Sequence, residues 1–152
     1  MLRVAGSVGE MLIPILHPNP DRTLVESGIA LGKAMQVVNI IRDIGADQKL
    51  GRRYIPLEIM KKHHYTELQW EQKVINHAFQ AIIGDLTDQA DQTEGLLYVD
   101  HYPDKSALTL RLATSYYQEI IKVVKENRYQ VFHKRAIVTN QRKAKLLMML
   151  TK

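Results

Sequence analysis

Apolar residues recur at helical spacing through most of the chain. Between residues 74 and 86 they repeat at i, i+1, i+4, i+5, i+8, i+9 and i+12, which predicts an amphipathic helix. Similar patterns predict a helix over residues 108–124 and a short one over residues 142–150. No alternating pattern is long enough to build a sheet, so we expect an all-α fold.

A short apolar segment, residues 4–15, comes first. Gly6 and Gly9 within it allow close approach of another backbone or of a ligand. Pro14 and the prolines that follow are expected to end this segment, with a turn at residues 17–20.

A long helix without proline is predicted next. Asp21 can cap its N-terminus, and the apolar positions continue to about Asp47. Gly45 and Gly51 are expected to mark where this helix frays and ends. Pro56 then breaks the chain before the following helix.

Composition restricts the classes of protein to which the chain can belong. Its 152 residues favour one domain, and 45% hydrophobic with 24% charged residues is typical of a globular chain with a buried core. The absence of cysteine excludes disulfides, a thiol nucleophile and Cys-ligated metal sites. No apolar run approaches the roughly 20 residues of a membrane span, and the first six residues lack the layout of a signal peptide. We therefore expect a cytoplasmic protein.

Charge is distributed unevenly along the chain. The segment from Lys122 to Lys152 contains nine basic residues and one acidic residue, so it carries +8, whereas the first 121 residues carry −3. Such a basic segment is typical of proteins that bind nucleic acid, an anionic membrane surface or a phosphorylated small molecule. Charge alone does not choose among these partners, and no nucleic-acid-binding motif accompanies the segment.

The stretch from Gln36 to Asp47 is the best candidate for chemistry. Asn39, Asp43 and Asp47 are spaced by four residues, so on a helix they lie on one face, with Gln36 beside them. Oxygen ligands of this kind suit Mg²⁺, which binds one or two carboxylates and completes its shell with water and substrate phosphate. A solvated acidic helix face produces the same spacing and is the commoner explanation of an isolated pair of aspartates.

The surroundings of these carboxylates favour a functional site. Apolar neighbours such as Val38 and Ile41 place the helix in the interior, where unpaired carboxylates are costly. Arg52, Arg53 and Tyr54 follow closely and could hold phosphate oxygens next to a metal ion.

Three stretches of the sequence resemble the squalene/phytoene synthases, the head-to-head prenyl diphosphate synthases. They are RVAGSVGE at residues 3–10, NxxRDxxxD at residues 39–47 followed by RxY at residues 52–54, and the basic run at residues 127–146. Their order and spacing are most similar to those of bacterial dehydrosqualene and phytoene synthases. The resemblance implies the helical isoprenoid synthase fold and a Mg²⁺-dependent prenyltransferase of carotenoid or terpenoid biosynthesis.

The resemblance also implies roles for individual residues. Asn39, Asp43 and Asp47 correspond to Mg²⁺ ligands, and Gln36 lines the same cavity. The residues implied to hold diphosphate oxygens or to lie at the reacting end are Arg52, Tyr54, Tyr117 and Arg135. Those implied to line a tunnel for the isoprenoid tail are Val4, Ala5, Val8, Gly9 and Leu12. Each of these roles has a structural alternative. Tyr117 could be an ordinary core residue, Arg135 could be part of the basic segment without a role in binding, and the first segment could be a helix that packs through its small residues.

Members of the family are usually near twice this length and bind Mg²⁺ through two Asp-rich motifs on facing helices. The chain resembles the C-terminal half and contains only the second motif, so residues 1–152 are interpreted as a single partial domain. Asp85 and Asp88 match the first motif in neither position nor spacing and are interpreted as a solvated face. The alternative to an enzyme is a catalytically incompetent helical fragment, or a binding or interaction module that retains a Mg²⁺–diphosphate surface.

The resemblance further implies substrates, a cofactor and partners. The substrates would be farnesyl or geranylgeranyl diphosphate, with farnesyl diphosphate favoured by the similarity to dehydrosqualene synthases. The sequence has no GxGxxG loop, which favours a reaction without NADPH, although the family binds NADPH without that motif. A half-domain is expected to expose apolar surface, and so to self-associate or to bind a chain that supplies the other half. Membrane contact would be peripheral, and nucleic acid is not an expected partner.

Overall fold

All regular structure is helical in the part of the chain that the computed structural model describes. That part is the backbone of residues 2–91 and 98–151, with the side chains of residues 7, 10–90 and 98–151. The α-helices are α1 (Leu2–Leu16), α2 (Arg22–Lys49), α3 (Leu57–Lys62), α4 (Glu67–Glu71), α5 (His77–Asp91), α6 (Asp104–Glu126) and α7 (Asn140–Leu150), with a 3₁₀ turn at Val99–His101. The prediction of an all-α fold is confirmed.

α1 continues past its internal proline. His17 donates its backbone N–H to the carbonyl of Ile13 at 2.8 Å, so the last turn closes although Pro14 has no N–H group. The prediction that Pro14 ends the segment is wrong, because a proline this near the helix end removes a single hydrogen bond. Ile13 is buried against α2, and the turn at residues 17–20 follows as predicted.

α2 is the central helix and packs against α1, α5 and α6. Its N-terminus is capped as predicted, since the Asp21 carboxylate accepts a hydrogen bond from the backbone N–H of Leu24 at 2.7 Å. α2 contributes Val38 and Ile41 to the main core. Other buried side chains of that core include Phe79, Ile82, Ile83, Phe132 and Val138.

Judged by length and composition alone, α2 could cross a membrane. The sequence has no uninterrupted apolar run long enough to span a membrane. α2 is a candidate because an 18-residue window of it has a mean hydropathy of 1.3, and 39% of that window is buried within the protein. The core helix of a soluble protein passes the same test, and no other helix among the described residues passes it.

Gly45 lies inside α2 and not at a frayed end, which corrects the prediction. It is buried where α2 meets the segment after α6, and a Cβ atom there would lie 2.4 Å from the carbonyl oxygen of Phe132. The glycine therefore permits close approach of two backbones. α2 ends at Lys49, and Gly51 just beyond it adopts the left-handed conformation with a φ of +67°, as predicted for the helix end.

Two short helices, α3 and α4, were not predicted. Pro56 breaks the chain as expected and directly precedes α3. Thr66 begins α4 with a capping box in which Gln69 is the partner. Between the two helices, the buried Tyr65 donates its hydroxyl to the carbonyl of Val74 at 2.7 Å, and burial raises the pKa of Tyr65 to about 12.

α5 begins three residues later than the apolar repeat that predicted it. The side chain of Asn76 accepts a hydrogen bond from the backbone N–H of Phe79 at 2.9 Å and so starts the helix at His77. Val74 and Ile75 remain in the preceding loop. The hydrogen bond at the helix end sets this boundary, and apolar periodicity carries no information about such a bond.

Asp85 joins α5 to α3. Its carboxylate accepts hydrogen bonds from Lys62 at 2.6 Å and from His63 at 2.8 Å, and its side chain is 26% exposed. The interpretation of Asp85 and Asp88 as a solvated pair therefore holds only for Asp88, which is exposed.

α6 and α7 are the two helices predicted near the end of the sequence. They pack against each other, and Arg142 on α7 donates to Glu119 at 3.1 Å and to Glu126 at 2.8 Å on α6. The segment between them, residues 127–139, buries Val131 and Phe132 against α2 and so brings the basic part of the chain to the C-terminal half of that helix.

Candidate functional site

Three residues of the NxxRDxxxD motif, Asn39, Asp43 and Asp47, line an open pocket of about 490 Å³. The pocket is formed by the C-terminal half of α2, the loop that follows it and the segment before α7. The predicted site residues that line it are Gln36, Asn39, Asp43, Asp47, Arg52, Tyr54 and Arg135. Helical spacing places the α2 members on one face, and the two neighbouring segments bring the arginines to that face.

Asn39 carries an oxygen atom without a hydrogen-bond partner. Its amide nitrogen donates to the hydroxyl of Tyr117 at 3.4 Å, which fixes the side chain between α2 and α6. Its Oδ1 atom is buried and accepts no hydrogen bond. A buried acceptor left in this state costs free energy of folding, so this oxygen is available to a ligand such as a cation.

Asp43 is held by two guanidinium groups. Arg42 donates to it at 3.0 and 2.5 Å, and Arg135, which is 92 residues away in sequence, donates to it at 2.7 Å. Burial raises the pKa of the Asp43 carboxyl, but the hydrogen bonds from Arg42 and Arg135 outweigh it, so that the pKa lies below its usual value. Asp43 is therefore an ionised carboxylate fixed in position at the pocket wall.

The turn after α2 positions Arg52 and Tyr54. The backbone carbonyl of Asp47 accepts hydrogen bonds from the N–H groups of Leu50 at 3.0 Å and Arg52 at 2.9 Å, which folds the chain back toward the helix. The left-handed residue Gly51 makes this reversal possible. Arg52 and Tyr54 consequently line the same pocket as Asp47.

A second cavity, which the sequence analysis missed, adjoins the site at Tyr117. It has a volume of about 300 Å³ and lies between α2, α5 and α6. Its apolar lining residues are Leu31, Ala34, Met35, Val38, Ala90 and Ile121. The α2 members recur at i, i+3, i+4 and i+7, a signal in the sequence that we assigned to core packing alone.

Most of the predicted tunnel residues lie outside the described side chains. They are Val4, Ala5, Val8 and Gly9. The remaining one, Leu12, is 47% exposed on α1, close in sequence to the exposed Met11 and Ile15. The role of α1 in a tunnel stays a prediction.

The donor atoms of the pocket fit a hard divalent cation. Among the described residues, no group of three or more carboxylate, imidazole or thiolate side chains is arranged to hold a metal ion. A cation here would therefore be held by the carboxylates of Asp43 and Asp47 together with Oδ1 of Asn39. Two carboxylates with one amide oxygen suit Mg²⁺, and the orphaned acceptor of Asn39 is the observation that supports this fit.

Comparison with models of protein families matches residues 1–142 to the model described as squalene/phytoene synthase. Among curated proteins, the 15-cis-phytoene synthase of Synechococcus elongatus is 33% identical, over 93% of this chain and 50% of its own length. The farnesyl diphosphate phosphatase YisP of Bacillus subtilis is 27% identical, over 86% of this chain and 49% of its own length.

Solved structures show the same similarity. A dehydrosqualene synthase crystallised with a ligand superimposes with a TM-score of 0.89 and 31% identity, over 97% of this chain and 53% of that one. The crystal structure of YisP superimposes with a TM-score of 0.88 and 26% identity, over 97% of this chain and 60% of that one. The chain thus spans about half the length of the relatives that it matches.

Proposed function

The chain belongs to the squalene/phytoene synthase family, and from this we propose that it forms the C-terminal half of an enzyme that condenses two prenyl diphosphates head to head. Two of the relatives are named as synthases of phytoene and dehydrosqualene. The observation that carries the proposal is the orphaned Oδ1 of Asn39, which lies in one pocket with Asp43 and Asp47. Two carboxylates and an amide oxygen on one helix face supply oxygen ligands of the kind that Mg²⁺ takes, with water and substrate phosphate completing its shell.

In this proposal Asn39, Asp43 and Asp47 would hold Mg²⁺. The bound ion would neutralise the diphosphate charge and thereby promote cleavage of the bond between the allylic carbon and oxygen. Asp43 is already ionised and oriented by its two arginine partners. A cation on this carboxylate would replace at least one of its arginine partners, so that loading the site requires an arginine side chain to move.

Arg52, Tyr54 and Arg135 would bind the oxygens of the leaving diphosphate. The side chain of Arg135 is 58% exposed and therefore free to move. Once a cation neutralises the charge of Asp43, Arg135 can turn from that carboxylate to a phosphate oxygen. Arg52 is exposed at the mouth of the same pocket. Together these donors would stabilise the negative charge that develops on the leaving group.

Tyr117 and the apolar cavity would accommodate the reacting hydrocarbon. The Tyr117 hydroxyl is engaged by Asn39, and the residue also lines the cavity between α2, α5 and α6. The apolar side chains of the cavity would contact the hydrocarbon chain, and the aromatic ring of Tyr117 would stabilise positive charge beside it. The double bond of the second prenyl diphosphate would attack the cation and lose a proton to close a cyclopropane ring. Departure of the remaining diphosphate, rearrangement and loss of a second proton would then give a C30 or C40 hydrocarbon without a reductant.

A second candidate is a diphosphate-binding or interaction module that does not condense prenyl chains by itself. It is favoured by the three exposed apolar residues of α1, Met11 at 68%, Leu12 at 47% and Ile15 at 79%, which present a surface for another part of a larger fold. The similarity to YisP adds hydrolysis of farnesyl diphosphate as a further outcome to test, since a cation captured by water gives a prenyl alcohol.

Product analysis separates these functions. The purified chain is incubated with Mg²⁺ and farnesyl or geranylgeranyl diphosphate, with and without NADPH, alongside Asp43→Asn, Asp47→Asn and the control Asp88→Asn. A C30 or C40 hydrocarbon that the first two variants fail to form, and the control forms normally, is the result expected for the enzyme. Prenyl alcohol alone would assign hydrolysis, and no product from the folded chain would show that this half does not catalyse the condensation without the part of the fold that carries the first Asp-rich motif.

A further inference from the structure

A second polar pocket, of about 580 Å³, shares Arg52 with the proposed diphosphate site. We call it the basic pocket. Its charged lining residues are Lys49, Arg52, Arg53, Lys73 and Glu71. Four cations against one carboxylate give the pocket a positive potential that favours an anionic ligand.

Most of this positive charge is not neutralised within the protein. Arg53 donates to Glu67 at 3.3 Å, which compensates one cation. Within the described part of the chain, Lys49 and Lys73 form no salt bridge. Two lysines and Arg52 are therefore left to face an anion in the pocket.

Gln48 adds a hydrogen-bond acceptor without a partner. Its Nε2 donates to the backbone carbonyl of Trp70 at 2.6 Å, and since a carbonyl can only accept, the amide cannot be turned the other way. The other atom of the amide is therefore the oxygen Oε1, which is buried and has no hydrogen-bond partner. Gln48 lines the basic pocket, so a ligand that brings oxyanions for the cations and a hydrogen-bond donor that reaches Oε1 would satisfy both features.

We propose that the basic pocket binds the inorganic diphosphate released from the neighbouring site, with Arg52 as the residue common to both positions. Near neutral pH, hydrogen diphosphate carries negative oxygens and one P–OH group, so it satisfies the cations and Oε1 of Gln48 at once. Glu71 is the one carboxylate that lines the pocket, so the proposed binding rests on the cations and is expected to occur without Mg²⁺. The identity of the ligand rests on the proposed function, but the pocket and its metal independence do not.

Trp70, the single tryptophan of the chain, provides a direct readout because it lines the pocket and accepts the Gln48 hydrogen bond. The whole chain is titrated with inorganic diphosphate in excess EDTA while Trp70 fluorescence is followed. A saturable change is expected. The double variant Lys49→Gln with Lys73→Gln should bind at least about tenfold more weakly, because it removes two unpaired cations, and Gln48→Leu should also bind more weakly.

Matched controls separate this site from general attraction to a basic protein. The double variant Lys33→Gln with Lys105→Gln removes the same charge from exposed positions on α2 and α6, and it should bind like the wild type. The exposed Asp88→Asn should also leave the metal-free titration unchanged. Asp47→Asn is tested only with Mg²⁺ present, where it is expected to abolish binding at the proposed active site. Failure of one proposal is thus distinguishable from failure of the other.

Several results would overturn the inference. They are the absence of a saturable change, an equal loss in the control double variant, or a loss in Asp88→Asn without metal. Titrations with inorganic phosphate and with phosphatidylglycerol vesicles identify the source of the phosphate. Weaker binding of both is expected, and tighter binding of the vesicles through Lys49 and Lys73 would assign the pocket to a lipid headgroup instead.

Discussion

Asn39 combines a structural cost with a functional use. Its nitrogen is anchored to Tyr117, and its oxygen is buried without a donor. A buried acceptor without a partner is tolerated at a site where a bound ligand supplies the missing interaction. The stability of the metal-free protein and its affinity for Mg²⁺–diphosphate should therefore respond to this residue in opposite directions.

Replacement of Asn39 by Leu tests this opposition. Because the substitution removes an unsatisfied buried acceptor, the metal-free variant should unfold with a free energy equal to the wild type or up to about 1 kcal/mol higher. It should also lose the rise in thermal midpoint that Mg²⁺ and inorganic diphosphate give to the wild type. Calorimetric scans with and without the ligands measure both effects, and a variant still stabilised by Mg²⁺–diphosphate would contradict the role of Oδ1.

Asp85 makes stability depend on pH. The hydrogen bond from Lys62, followed by that from His63, lowers the pKa of the Asp85 carboxyl below its usual value. The pairing therefore stabilises the folded protein above the ordinary carboxyl pKa of about 3.9, and the stabilisation disappears as the pH falls through the lowered value. Asp85→Asn should show a smaller fall in thermal midpoint on acidification than the wild type. The exposed Asp88→Asn is the matched control and should follow the wild type.

The candidate site was predictable as far as it is local in sequence. Helical spacing alone places Asn39, Asp43 and Asp47 on one face. The contact of Arg135 with Asp43 joins residues far apart in the chain, so only the family resemblance pointed to it. The orphaned oxygens of Asn39 and Gln48 arise from tertiary packing and leave no signal in the sequence.

Among the elements, α2 depends on one glycine for its packing. The backbone after α6 approaches Gly45 so closely that a Cβ atom would lie 2.4 Å from the Phe132 carbonyl oxygen and 2.6 Å from that of Val131. These are backbone atoms, so a larger residue cannot be accommodated by rotation of a side chain. The position of the basic segment, and with it Arg135, follows from this contact.

Gly45→Ala should therefore lower the free energy of unfolding by about 1–3 kcal/mol despite the better helix propensity of alanine. Gly84→Ala is the matched control, since Gly84 lies inside α5 and a Cβ there meets no atom within 4 Å. It should raise the free energy of unfolding by about 0.5–1 kcal/mol. Urea denaturation of both variants checks the prediction, and equal effects in the two would contradict the role of Gly45.

The elements also show where sequence patterns stop being informative. Apolar periodicity predicted α2, α5 and α6 because each of these helices buries one face, and the cap at Asp21 also located the start of α2. Periodicity predicted α7 as well, although α7 buries no residue. Periodicity missed α3 and α4, which are too short to establish a repeat. Gly45 was misassigned as a helix end because glycine serves both termination and close packing, and only the tertiary contact distinguishes the two uses.

At the scale of the whole molecule, exposed apolar side chains are grouped on two helices, α1 and α7. Met11, Leu12 and Ile15 lie on α1, and Leu147, Met148 and Met149 lie on α7, which contributes no buried residue. Exposed apolar residues grouped on one helix mark an interaction surface. This agrees with a chain that spans about half the length of its relatives.

We accordingly expect the isolated chain to self-associate. Size-exclusion chromatography with light scattering should show species larger than the monomer, and Met11→Glu with Ile15→Glu should shift them toward the monomer because charge disfavours burial of that face. Ile137→Glu alters an apolar residue that is equally exposed but lies outside α1 and α7, and it should change nothing. A monodisperse wild-type monomer would contradict the half-domain interpretation.

The most direct test of the proposed function is calorimetric titration with farnesyl thiodiphosphate, which resists ionisation, in the presence and absence of Mg²⁺. The titration uses the double variant Lys49→Gln with Lys73→Gln, which weakens binding in the basic pocket, so that the signal reports on the site of Asn39, Asp43 and Asp47. We predict binding that requires Mg²⁺, disappears in Asp47→Asn and persists in Asp88→Asn. Binding that is equally tight without Mg²⁺, or unchanged in Asp47→Asn, would contradict the assignment of this pocket as a Mg²⁺–diphosphate site.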